Sequence, residues 1–528
     1  MDLTLFYNAL SFGELSVRSL VAVFALIVIT LCFVRATLAR NSSYRSSPPG
    51  PSGLPFIGNV FDIPQERPWV AYRDLAETYG DVIAVKALGQ TLVVLNSMSA
   101  TVDLLEKRSA MYSDRPVSVV SQMIGWTRNL AFKQYGDDWR AIRRMLWQHI
   151  QPGVVAKYQP VQRRGAVTLL KHLSEDSSNL DEQIKSSYCK ILLNVTYGLR
   201  FDHADTPRYI EILSQLESAL AEAFQPGAFL VEFIPWLRHV PQWFPGAGWQ
   251  QKVLRWKRQL DSLVEEPYQA ANEAMRRGEA EQSMLSEAMD SIGREKDPSR
   301  AEYANRLIKE ATSSAFHGNV LLNLAAILHA FVCAIVLNPE VQIRAQEELD
   351  RVVGCDRLPE HSDRPSLPYV EAILKETYRW HNPVPLGVAH RCSEDNVYRG
   401  WKMPKGAAVM FNVWAMLQDP EVFSEPEVFR PERFLEDGKL NLNMMQPEIL
   451  TFGVGRRVCP GKHFADDSLF ISIACILHVF TITKALDALG APIPVKAEIT
   501  PGILSFLKQF DCSIRPRSTA HEALVQEA

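Results

Sequence analysis

Cysteine pairs are missing from this sequence. Its eight cysteines, at 32, 189, 333, 355, 392, 459, 475 and 512, include no Cys-x-x-Cys and are too sparse for a disulfide scaffold. Reduced thiols in a cytosolic setting follow, with Cys333 and Cys475, both inside apolar runs, read as small core residues. An excess of charge is also missing. Fifty-six basic residues against 60 acidic ones give a net charge of −4, which excludes a nucleic-acid footprint. No Gly-x-Gly-x-x-Gly opens a helix after a strand, so flavin or nicotinamide is not held by that fingerprint. No repeat or low-complexity tract appears, and the apolar content suits a chain with one large core.

Near the N-terminus "SLVAVFALIVITLCFV" lies between Arg18 and Arg35, uncharged and mostly aliphatic. With its flanks it is long enough to span a bilayer, and the arginines at its ends can snorkel. No small-x-small cleavage site follows it; Arg35, Arg40 and Arg45 do, which places the bulk of the chain on the cytosolic side. Residues 1–45 are thus expected to form a membrane anchor with a basic flank, and 46–528 a single domain. Between them "SSPPGPSGLPFIGN" (46–59) reads as a proline-rich hinge with no helix or strand of its own.

The runs "DVIAVKAL" and "TLVVLN" predict two short strands, and helical periodicity dominates from about 100 to 380. A stretch from about Asn305 to Leu337 is apolar on nearly every face and stops at Asn338-Pro339. Such a helix belongs in the centre of the domain. Beyond 380 the chain is loop-rich until one more helix at about 461–480. The expected fold class is mainly α with small β-sheets.

The segment "FGVGRRVCPGKHF" carries the chemistry. Phe452, Gly455, Arg457, Cys459 and Gly461 form Phe-x-x-Gly-x-Arg-x-Cys-x-Gly, in which the glycines permit a tight turn against something flat. Cys459 falls just before a helix N-terminus, where the dipole and free N–H groups stabilise a thiolate. A thiolate is a strong axial donor to haem iron.

With this segment the sequence resembles the cytochrome P-450 family, from anchor to C-terminus, and most closely its fungal microsomal members. The resemblance implies the cytochrome P-450 fold, haem b with Cys459 as iron ligand, and a monooxygenase activity. Glu376 and Arg379 in "KETYR" and Arg433 in "FRPERF" occupy the family's buried ion triad. Trp139 and Arg143 in "DDWRAIRR", one turn apart, together with His390 and Arg457, occupy positions that bond the haem propionates. Charge-assisted bonds to carboxylates explain the residue types.

One departure stands out. The family's central helix carries an acid and a threonine that hand protons to the oxygen being cleaved. Counted back from "VLNPEVQ", those positions hold Leu322 and Asn323, with Val320 at the glycine position. Thr312 lies roughly 16 Å away along a helix and His317 about 9 Å, too far to substitute. Asn319 and Asn323 share a face at i, i+4 and are the candidate catalytic residues. An amide can hold a water or donate a hydrogen bond, but it cannot supply a proton as an acid does. The main reading is a monooxygenase acting on a small lipophilic substrate, such as a terpenoid or aromatic of fungal secondary metabolism. The alternatives are a haem-thiolate isomerase or dehydratase, and a non-catalytic haem- or lipid-binding relative.

By family position the pocket draws on the loop 119–126 with Trp126, on Val384, Leu386 and Val388, and on Leu504 within 503–505. The aromatic segment Phe224–Gln250 is expected to dip into the membrane interface. Electrons must come from outside, so the expected partners are NADPH–cytochrome P-450 reductase, with cytochrome b5 as an additional donor, and membrane lipid. Arg140, Arg144, Arg456 and Lys462 form a candidate reductase-docking patch. The expected location is the endoplasmic reticulum membrane.

Overall fold

The computed structural model describes Thr30 and residues 47–528, except 56, 226, 293–296 and 318–319. The anchor expected at 1–45 and the candidate Asn319 lie outside the described residues.

Both expected strands form: Val82–Ala87 (β1) and Gln90–Leu95 (β2) pair antiparallel. β2 then runs parallel to Ala408–Phe411 (β4), which pairs antiparallel with His390–Arg391 (β3). The sheet order β1-β2-β4-β3 joins the N-terminal strands to a segment more than 300 residues on, which explains why β1 is buried on both faces. A second, two-stranded ribbon joins Phe480–Lys484 (β5) to Cys512–Pro516 (β6).

The hinge is stitched to this sheet. Ala84 N donates to Pro49 O (2.8 Å), Asn59 N to Lys86 O (2.6 Å) and Lys86 N to the Asn59 side chain (3.0 Å). Asn59 is only 3 % exposed and also donates to Pro51 O at 3.0 Å. As expected, the segment forms no helix or strand of its own; it makes only isolated bridges, Leu54 with Gly58 and Gly58 with Ala87. The chain from 49 to 59 borrows β1 as a template, because prolines that cannot donate still accept at an edge.

The helices that position the site are Val119–Ile124 (α1), Asp137–Ile150 (α2), Leu180–Tyr197 (α3), Thr206–Ala223 (α4), Pro298–His317 (α5), Val320–Leu337 (α6), Pro368–Trp380 (α7) and Lys462–Val479 (α8). The most apolar window of 298–337 is 82 % buried, as a core helix should be. α6 packs against α3, α7 and α8. It ends as expected: Asn338 turns its amide back onto Ala334 O (2.7 Å), and Pro339 starts the next helix at its first turn. Cys333 and Cys475 are fully buried, and no disulfide occurs among the described residues.

Candidate active site

Phe452 to Gly461 folds into a tight loop ahead of α8. It is closed by Cys459 N donating to Phe452 O at 2.7 Å, and Gly461 is the residue capping the helix. Gly455 has φ of 66°, and a Cβ there would meet Leu105 O at 2.0 Å, so no other residue fits. From the other side Tyr378 of α7 sets its ring edge-on to Phe452, centroids 5.5 Å apart. Cys459 thereby faces a cavity of about 450 Å³. Burial pushes its thiol pKa up, against the opposing pull of the Gly461 N–H, Arg143 and Lys462. A metal cation bound there would favour the thiolate, because it deprotonates a coordinating thiol.

Three arginines meet the same cavity, and none forms an ion pair among the described residues. Arg457 donates to the carbonyls of Ser113 (2.7 Å), Leu130 (3.2 Å) and Lys133 (2.9 Å), and its guanidinium lies 4.5 Å over the Trp139 ring. Arg143, on the cavity face of α2 one turn after Trp139, bonds to Val458 O and to no other atom among the described residues. The third, Arg115, escapes sequence reading. It is 5 % exposed and donates to Ala131, Val388 and Ala389 carbonyls at 2.7–2.8 Å. Burial and the neighbouring Arg457 hold the pKa of Arg115 well down, and burial brings that of Arg457 to about 10. Trp139 Nε1 is buried with no partner. Three cations and an orphaned donor around one cavity are costly unless anionic groups complete them. Two carboxylates on a flat ligand, with a metal ion facing Cys459, answer that deficit.

His390 lines the same cavity. Its Nδ1 lies 2.7 Å from Tyr112 O, which can only accept, so Nδ1 carries the hydrogen. Burial first, then Arg115 and Arg457, press its pKa well down, so the ring is neutral and Nε2 is an acceptor. An anion placed against Nε2 must raise that pKa and bring a proton with it before His390 can donate.

Across the cavity α6 presents Leu322 and Asn323, so the residues at the acid and threonine positions do line it. Asn323 makes no side-chain hydrogen bond among the described residues. His317 also lines the cavity, its pKa pushed down to about 4 by burial and its Nε2 without a partner. Thr312 instead spends its hydroxyl on Ile308 O at 2.9 Å.

Trp126, Val384, Val388, Ile503 and Leu504 line the cavity; Leu386 does not. Gly387, at φ of 60°, breaks the extended alternation, so Leu386 packs beside Trp69, Tyr72, Val85 and Val94 instead. The segment expected as a loop at 119–126 is mostly α1. The Glu232 carboxylate caps it, accepting from Ser118 Oγ (2.8 Å), Val119 N (3.0 Å) and Val120 N (2.9 Å). A second residue that escapes sequence reading is Glu217 on α4, the one carboxylate on the cavity wall among the described residues. Burial pushes its pKa up to about 7.

Behind the loop, Glu376 and Arg379 are fully buried and bond twice, at 2.7 Å each, while Arg433 reaches both Glu376 oxygens at 3.1 Å. Both arginines also donate to Val428 O, tying α7 to the long loop before it returns to Cys459.

A lone cysteine facing a cavity whose edge demands carboxylates defines a haem-thiolate protein. The chain belongs to the cytochrome P-450 family, whose model matches residues 48–489. It is 35% identical over 510 residues to the cytochrome P-450 monooxygenase COX1 of Coprinopsis cinerea, covering 95% of this chain and 98% of that one. It is 36% identical to COX2 of the same fungus (94% of each chain), and 35% identical to the monooxygenase claR of Ampulloclitocybe clavipes (95% and 92%). The protein is therefore a haem-binding, oxygen-incorporating monooxygenase that takes electrons from a reductase.

Proposed function

We propose that this monooxygenase inserts one oxygen atom into a small lipophilic molecule, a terpenoid or aromatic of fungal secondary metabolism, at the endoplasmic reticulum membrane. The observation that carries the reading is one cavity bringing together Cys459, an apolar wall and Asn323. Cys459 would hold the haem iron; Trp139, Arg143, Arg457 and Arg115 would hold the propionates, with His390 joining after proton uptake. Haem held through the Cys459 thiolate would supply O–O cleavage. Asn323 then has the work usually shared by an acid and a threonine. Its amide donates through Nδ2 and accepts through Oδ1, so it orients water, and protons travel by that water rather than from the side chain.

Membranes carrying the protein and a fungal reductase, given NADPH, isotopically heavy dioxygen and a terpenoid and aromatic panel, test this. One heavy atom per product is the expected result. Rearranged or dehydrated product without label would instead establish the isomerase or dehydratase alternative, which Leu322-Asn323 motivates. Asn323→Leu should lower product formed per NADPH by roughly tenfold, the worth of one hydrogen bond, with the difference recovered as peroxide. Unchanged coupling would remove Asn323 from the mechanism.

For the reductase, Arg144 and Arg456 offer exposed charge, whereas Arg140 is already paired with Asp137. Reversing Arg144 and Arg456 together is expected to slow electron delivery about tenfold at low salt, less at high salt, with the haem spectrum unchanged. A rate insensitive to both changes would discard the patch. Membrane contact is supported by exposed Trp243 (81 %), Leu230 (67 %) and Trp236 (65 %).

A further inference from the structure

α4 turns Leu213, Leu216, Glu217 and Leu220 to the cavity, the i, i+3, i+4, i+7 spacing of one helix face. Packing alone would make all four apolar. Glu217 has no hydrogen bond and no ion pair among the described residues. Its nearest charges, Lys185 and Asp181 on α3, are paired with each other at 2.8 Å and act on it only through space. It makes no ion pair or hydrogen bond with Arg115, Arg143 or Arg457 among the described residues; their donors go to backbone carbonyls instead. It faces the cavity with its acceptor atoms unused. An unpartnered carboxyl on an apolar face is a standing cost that a ligand with a complementary donor removes.

Resting on the reading of this cavity as substrate space, we propose that Glu217 anchors the substrate. The preferred molecule is a lipophilic skeleton carrying one hydrogen-bond-donating group, an alcohol or a protonated amine, which binds to Glu217 and leaves the far end of the skeleton toward Cys459. Burial keeps the side chain partly ionised near neutral pH, so it accepts from either donor. This narrows the substrate class from merely lipophilic to amphipathic. It also makes Glu217 a specificity-determining residue rather than a catalytic one.

The test uses the full-length haem-loaded protein and three ligands of one terpene skeleton: the hydrocarbon, its alcohol and its tertiary amine. Dissociation constants are read from the shift of the haem Soret band. The wild type should bind the alcohol or the amine about tenfold more tightly than the hydrocarbon, the worth of one hydrogen bond. Glu217→Leu, which completes the apolar face, should erase that preference, and Glu217→Ala serves if the leucine variant loads no haem. Glu217→Gln separates the two donors, keeping a preference for alcohol and losing one for ammonium. Equal affinities in the wild type, or a preference that survives Glu217→Leu, would overturn the proposal. Failure of the underlying haem-thiolate reading is distinguishable, since the ferrous carbon monoxide adduct would then lack the thiolate-type band whatever the ligands do.

Discussion

Glu376→Ala is expected to yield almost no haem-loaded protein. The carboxylate sits at zero exposure and takes four side-chain hydrogen bonds, two from Arg379 and two from Arg433, as well as the Arg430 N–H at 2.8 Å. Truncating it leaves two guanidinium groups buried and uncompensated. Removing one partner of a buried ion pair costs about 3–5 kcal/mol, a large share of a total stability of about 5–15 kcal/mol. The arginines would keep their bonds to the Leu417, Ser424 and Val428 carbonyls, so the backbone there has no easy way to relax around the excess charge. Tyr378, adjacent to Arg379, packs on Phe452, so the damage reaches the Cys459 loop. Haem content per chain, with the denaturation midpoint of whatever folds, checks the prediction. A variant with normal haem content and midpoint would show the triad to be dispensable.

Cys459→Ser should remove oxygenation altogether while sparing much of the fold. The substitution is nearly isosteric, and the loop is held by backbone contacts, Cys459 N to Phe452 O and the close approach of Gly455 to Leu105. What disappears is a sulfur donor soft enough to bind iron and push electron density onto it. The serine variant is expected to bind haem through the arginine cluster with reduced occupancy, to lose the thiolate-type band of its ferrous carbon monoxide adduct, and to give no labelled product. Retained labelled product would show that Cys459 is not the ligand.

Local order along the chain reveals some of this and hides the rest. Asn338-Pro339 marks the end of α6 because a proline ring and a back-bonding amide act within one turn. The Cys459 loop is legible because its glycines and its ligand lie within ten residues of one another. α1 is less so: Ser118 caps it locally, but the first two N–H groups of the helix are met by Glu232, over 110 residues away. Leu386 misleads for a local reason: in "PVPLGV" strict alternation groups it with Val384 and Val388, but Gly387 rotates the strand out of phase. Glu217 is invisible for the opposite reason. "SQLESAL" reads as the wet side of an amphipathic helix, and only the packing of α4 over the cavity turns one glutamate inward. Arg115 likewise has no neighbouring pattern, since its partners are carbonyls contributed by distant loops.

The stitching of residues 49–59 to β1 has a mechanical consequence. A proline-rich tether pinned at Pro49, Pro51 and Asn59 has no swivel left where it meets the body, so its exit vector is set by the sheet. Torque applied upstream of residue 47 would be carried straight into β1 and, through β2 and β4, to the strand pair that holds His390 at the cavity edge. Residues 49–59 are mounted on the catalytic body rather than leashed to it.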